Sequence, residues 1–105
     1  MIQICPNLEY SFQILGKKWN GLIVHYLSLV PNHEAHFSDL KRDLPEITPR
    51  ALSLKLMELQ EYGLIGKEVK AGTPVIISYI LTEKGRTLAE ALKPVQQWAQ
   101  HYRDS

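Results

Sequence analysis

Apolar residues recur along most of this chain at intervals of three and four, the spacing that places them on one face of a helix. Leu8, Phe12 and Leu15 carry the pattern first, after Cys5-Pro6 and ahead of Gly16. Pro6 suits the first helical position, where its missing N–H is not needed, and Gly16 is placed to end the turn. From about Lys18 to Leu29 a second helix is predicted, with Trp19, Leu22, Ile23, Tyr26, Leu27 and Val30 as a wide apolar stripe that Pro31-Asn32 stops. Phe37, Leu40 and Leu44 mark a short helix, ended by Pro45 because the residue before a proline is pushed out of the helical region. Thr48-Pro49 then reads as N-cap and first position of a helix that runs to Tyr62 and closes on Gly63. Leu52, Leu56 and Leu59 lie on one narrow face of it, toward the core.

After Gly63 the period changes. Leu64–Lys70 and Val75–Leu81 are rich in β-formers and flank the turn cluster Ala71-Gly72-Thr73-Pro74, which predicts a hairpin. Thr82 caps a last helix through about Tyr102, with Leu88, Ala91, Leu92, Val95, Trp98, Ala99 and Tyr102 on one side. Pro94 within that stretch predicts a kink or a break. Helix, helix, short helix, turn, helix, hairpin, helix is the order of a winged helix-turn-helix. The expected fold is mainly α with one small β-hairpin, in a single domain over residues 1–105.

Composition narrows the class without naming a function. The chain is 45% hydrophobic and 22% charged over 105 residues, enough for one core and against disorder. Its longest apolar stretch, Gly21–Val30, is broken by His25 and is far shorter than the ~18 residues of a membrane span. No signal peptide is read at the start. One cysteine, Cys5, permits no intramolecular disulfide, so a cytoplasmic protein is expected and a disulfide-stapled secreted fold is excluded. Twelve basic against eleven acidic residues give a net charge of +1, which argues against indiscriminate polyanion binding. A small DNA reader needs only a few well-aimed cations.

A helix-turn-helix brings its second helix to a major groove. On the Thr48–Tyr62 helix, Arg50, Ser53, Leu54, Met57 and Glu61 lie opposite the leucines. Exposed Leu54 and Met57 point to contact with something, thymine methyls or base edges among the choices, and Arg50 is placed to pair with guanine or clamp a phosphate. Lys41 and Arg42 on the short helix, and Lys67 and Lys70 on the hairpin, flank such a groove. With Ser38, Thr48, Pro49 and Thr73 these form the candidate DNA-contact set. Free N–H groups at the start of the Thr48 helix add a phosphate site. Asp39, Asp43 and Glu68 interleave with the cations and limit how positive this face becomes.

Several segments resemble the HxlR-type transcriptional regulators. Cys5-Pro6, followed a dozen residues later by Gly16-Lys17-Lys18-Trp19, is similar to their opening. Phe37-Ser38-Asp39-Leu40 through Pro45-Glu46-Ile47-Thr48, and the run Leu56–Ile65, resemble their helix-turn-helix. Tyr79-Ile80-Leu81-Thr82-Glu83-Lys84-Gly85 resembles the end of their wing. The likeness spans about Cys5 to Tyr102, and the Cys-Pro and Gly-Lys-Lys-Trp segments are its more specific parts. Lys17, where a second glycine is usual, Glu46, where glycine is common, and Met57, where arginine is frequent, depart from the pattern. The resemblance implies a cytoplasmic homodimer that binds double-stranded operator DNA and pairs through its first and last helices. Leu8, Phe12, Leu88, Leu92, Val95, Trp98 and Tyr102 are the expected interface.

Two readings of Cys5 stay open: a small buried hydrophobe at a helix start, or a sensor of oxidants or electrophiles. The second follows the resemblance, because some members use a cysteine there that way, and a helix N-terminus favours a thiolate. No metal site is expected. His33-Glu34-Ala35-His36 is one residue short of the spacing that sets two ligands on one helix face, and His25 and His101 stand apart from it. No phosphate loop, nucleophile elbow or paired carboxylates appear, so neither an enzyme nor a cofactor is expected. The leading function is a sequence-specific DNA-binding regulator. The competing one is a winged helix that binds protein and not DNA, which the acid-laced face and exposed Leu54 and Met57 also allow. Operator, sign of regulation and any small-molecule effector are not written in the sequence.

Overall fold

The computed structural model describes residues 1–104. Its helices are α1 (Pro6–Leu15), α2 (Asn20–Leu29), α3 (Phe37–Asp43), α4 (Pro49–Glu61) and α5 (Glu83–Arg103). A 3-10 turn over Pro31–His33 leads into strand β1 (Glu34–His36), and β2 (Ile65–Lys70) and β3 (Ile76–Leu81) form the hairpin. The strands make one antiparallel sheet in the order β1-β3-β2. The expected winged helix-turn-helix is what forms, with a third strand added.

That strand is the main difference from the expected fold, whose only strands were those of the hairpin. Three residues are too few to show a period of two, and the partner of β1 lies more than forty residues away, Ala35 opposite Tyr79. Smaller differences have local causes. The second helix begins at Asn20 and not Lys18, because Asn20 N–H bonds the Lys17 carbonyl across a turn (3.3 Å). Gly16 ends α1 as expected, in ordinary right-handed geometry (φ −71°). Pro94 makes no break, and α5 continues through it to Arg103.

The α4 ends match their residues. Thr48 Oγ1 accepts the Ala51 N–H (3.1 Å) at one end. At the other, Gly63 takes φ +75°, with Gly63 N–H on the Gln60 carbonyl (2.9 Å) and Leu64 N–H on Leu59 (2.9 Å). This paired closure satisfies carbonyls the helix leaves free and favours glycine at the left-handed position. Leu52, Leu56 and Leu59 are fully buried, with Ile23, Val24 and Leu27 of α2, Leu40 of α3, Ile47, Leu64 and Leu81. Gly85 of α5 sits so close to the Leu64 carbonyl that a Cβ there would overlap it. The α4 C-terminus and the α5 N-terminus are therefore locked backbone to backbone.

Candidate nucleic-acid interface

The turn between α3 and α4 is held from inside. Ile47 is buried, and the Lys41 ammonium donates to its carbonyl (2.6 Å). Lys41 is thus a brace of the turn and not a free cation. Arg42 is exposed but donates to Asp43 through Nε (2.9 Å) and one terminal nitrogen (3.0 Å), and to Asp39 through the other (3.3 Å). Those bonds hold the Asp43 carboxyl down to about 2, with help from the Tyr26 hydroxyl, which donates to it at 2.6 Å. Ser38 is exposed in the first turn of α3. Of the candidate cations, Arg50, Lys67 and Lys70 form no ion pair among the described residues.

Opposite its buried leucines, α4 presents Arg50, Ser53, Leu54, Met57 and Glu61 to solvent. Leu54 and Met57 are 56% and 57% exposed, well above what a purely structural helix needs of such residues. Thr48 and Pro49 stand at the N-terminus, where the Thr48 hydroxyl accepts the Ala51 N–H. In the hairpin, Lys67 is opposite Tyr79 and Lys70 opposite Ile76. Three positions apart on a strand means opposite faces, so one groove wall cannot take both lysines. Thr73 lies exposed in the turn that joins the strands.

The sequence reading missed what holds α4 from behind. Glu58 accepts from Lys17 in the α1–α2 turn, from Lys55 (3.4 Å) and from the buried Asn20 amide (3.3 Å). The Lys17 bond above all holds the Glu58 carboxyl below its usual range, against burial, which pushes it up. Asn20 also donates to the Ile14 carbonyl (2.9 Å). Only the Lys55–Glu58 spacing of three was visible beforehand, since Lys17 and Asn20 are about forty residues from Glu58.

Elsewhere on the surface, Leu8 and Phe12 of α1 and Val95, Trp98 and Tyr102 of α5 are all more than half exposed. Leu88 packs against this chain's own core, and Leu92 is half-buried, so the exposed stripe of α5 starts later than expected. Cys5 stands at the N-cap of α1, its carbonyl accepting the Glu9 N–H (3.0 Å) and its side chain making no cap bond. It is exposed within its own chain. No helix among the described residues is long and apolar enough to cross a membrane.

A family model described as HxlR-like helix-turn-helix matches residues 14–105. The HTH-type transcriptional regulator YodB of Bacillus subtilis is 36% identical over 99 residues, 94% of this chain and 86% of that protein. YvaP of the same organism, an uncharacterized HTH-type transcriptional regulator, is 38% identical over 97% of this chain and 92% of its own length. Among solved structures, the reduced form of YodB superposes with a TM-score of 0.82 at 35% identity, covering 95% of each chain. The reduced form of the redox regulator HypR gives 0.83 at 32% identity, covering 93% of this chain and 94% of HypR. YodB is also known diamide-treated and quinone-bound, and HypR oxidized, all with the same fold.

Proposed function

Because this chain belongs to the HxlR-like helix-turn-helix family, we propose that it is a cytoplasmic, sequence-specific DNA-binding transcriptional regulator that works as a homodimer on operator DNA. The outward face of α4 carries this reading. A helix with every inward leucine buried has no structural use for exposed Leu54 and Met57 beside an unpaired Arg50. Arg50, Ser53, Leu54 and Met57 are the base-reading set, with Thr48 and Pro49 at a phosphate. The wing enters edge-on, with Lys67 to one wall, Lys70 to the other and Thr73 at the tip. Ser38 and Arg42 of α3 flank the backbone. Arg42 gives up an exposed, solvent-screened pair to do so, while Lys41 acts through the turn it braces.

Two domains must stand about one DNA turn apart, ~34 Å, to read a two-fold site. The exposed stripe of Val95, Trp98 and Tyr102, with Leu8 and Phe12, is the surface that joins them. Cys5 opens one of those helices. HypR is a redox regulator, and YodB has been seen with diamide and quinone, so Cys5 is the point at which oxidants or electrophiles reach this protein. With no second cysteine in the chain, the product is a mixed disulfide, a thioether adduct or a bridge between protomers. The experiment is a gel shift with DNA from upstream of its own gene, before and after diamide, for wild type and Cys5→Ser. Specific binding that diamide weakens in wild type only is expected. Absence of specific binding contradicts the regulator, and equal diamide response in Cys5→Ser contradicts the thiol.

A further inference from the structure

One residue outside every set above connects the helix that starts at Cys5 to the end of the DNA-reading helix. Lys84 is the second residue of α5, just after the Thr82 cap. Its ammonium donates to the Tyr62 carbonyl at the C-cap of α4 (2.6 Å) and to the Tyr10 hydroxyl of α1 (2.8 Å). It also lies 5.4 Å from the centre of the Tyr10 ring. The Tyr10 and Tyr62 rings meet edge to face, 6.5 Å apart at 82°. Three helices therefore converge on one cation.

Two of those three cannot move relative to each other. The Thr82 hydroxyl donates to the Gly63 carbonyl (2.6 Å), Thr82 N–H to the Leu64 carbonyl (3.1 Å), and Gly85 is pressed on Leu64. α1 is the least packed of the three within its own chain: Ile14 is its one buried residue, and Pro6 to Tyr10 are exposed there. Tyr10 is five residues beyond Cys5, about 7.5 Å along the helix axis. A shift of α1 at its Cys5 end thus arrives at Lys84, and through Lys84 at the rigid α4–α5 corner.

We propose that Lys84, with Tyr10 and Tyr62, is a positioning joint that sets the attitude of α1 against the recognition helix, so that displacing α1 changes operator affinity. The proposal rests on the reading of α4 as the DNA-reading helix. Coupling between two sites is reciprocal, so operator binding must in turn alter α1, and exposed Cys5 reports it. The probe is a duplex selected by the protein from a random-sequence pool. Affinity for it is measured for wild type, Tyr10→Phe, Lys84→Met and Lys84→Arg, together with the rate of Cys5 alkylation by iodoacetamide with and without the duplex.

In wild type the duplex changes that rate, because it alters the environment of Cys5 at the start of α1. In Tyr10→Phe and Lys84→Met the change disappears, while Lys84→Arg, which keeps a donor, restores it. A merely structural role moves the melting temperature and not this dependence on DNA. Tyr10→Phe alters one exposed hydroxyl and no charge, so it carries the test even where Lys84→Met folds poorly. If Tyr10→Phe and Lys84→Met retain the wild-type affinity and the DNA-dependent rate, the joint is overturned and the regulator stands. If wild type selects no duplex, the regulator falls and the joint with it.

Discussion

Asp43 of α3 is held between two donors, the Arg42 guanidinium and the Tyr26 hydroxyl of α2. Arg42 first, then Tyr26, lowers its carboxyl from 3.8 to about 2. A folded value below the unfolded one contributes stability above about pH 4 that fades as pH falls toward 2. Tyr26 works the other way. Burial first, then the bond to Asp43, raises it from 10.0 to about 12, so its contribution is complete below pH 10 and lost as pH climbs through 12. Asp43→Asn is expected to move the Tyr26 titration, followed by ultraviolet absorbance, back toward 10 and to flatten the acid limb of stability between pH 4 and 2. A Tyr26 titration unchanged by that substitution contradicts the pairing. None of this was legible in the sequence, because Tyr26 reads there as one more stripe residue and Asp43 as a solvated acid.

Elements were legible where their determinants are local. Thr48, Pro49, Leu52, Leu56, Leu59 and Gly63 define α4 within sixteen residues, and each stands where its side chain or backbone freedom requires. Thr48→Ala is expected to cost about 1 kcal/mol in a denaturant titration, with Thr48→Ser close to wild type. Equal loss in both variants contradicts the cap. Elements were illegible where the partner is distant. β1 exists because Glu34–His36 meets β3, and α4 is oriented by Lys17 and Asn20 through Glu58. Within the candidate interface, the α4 face was readable from its period. That Lys41 is spent on Ile47 and that Lys67 and Lys70 diverge required the turn and the strand register.

At the scale of the molecule, the shape follows from α5. A 105-residue chain packed as a sphere has a radius of gyration near 13 Å, whereas this one has 15.3 Å and extents of 59 × 34 × 25 Å. The first half of α5 lies on the core and the second carries Trp98 and Tyr102, 65% and 62% exposed. Such a stripe calls for a partner helix, and the homodimer proposed above would supply one. Sedimentation at micromolar concentration is expected to give a dimer, and Trp98→Glu a folded monomer. A monomeric wild type contradicts the interface. With a net charge of +1, the proposed DNA affinity must come from the placement of cations and not their total, and Arg50 is the one proposed to read a base. The decisive measurement is therefore fluorescence anisotropy with a selected duplex and a scrambled one, across salt, for wild type and Arg50→Ala. The account predicts a loss of about 1–3 kcal/mol on the selected duplex alone, with affinity on the scrambled one little changed. Equal loss on both duplexes, or none on either, contradicts α4 as the helix that reads DNA.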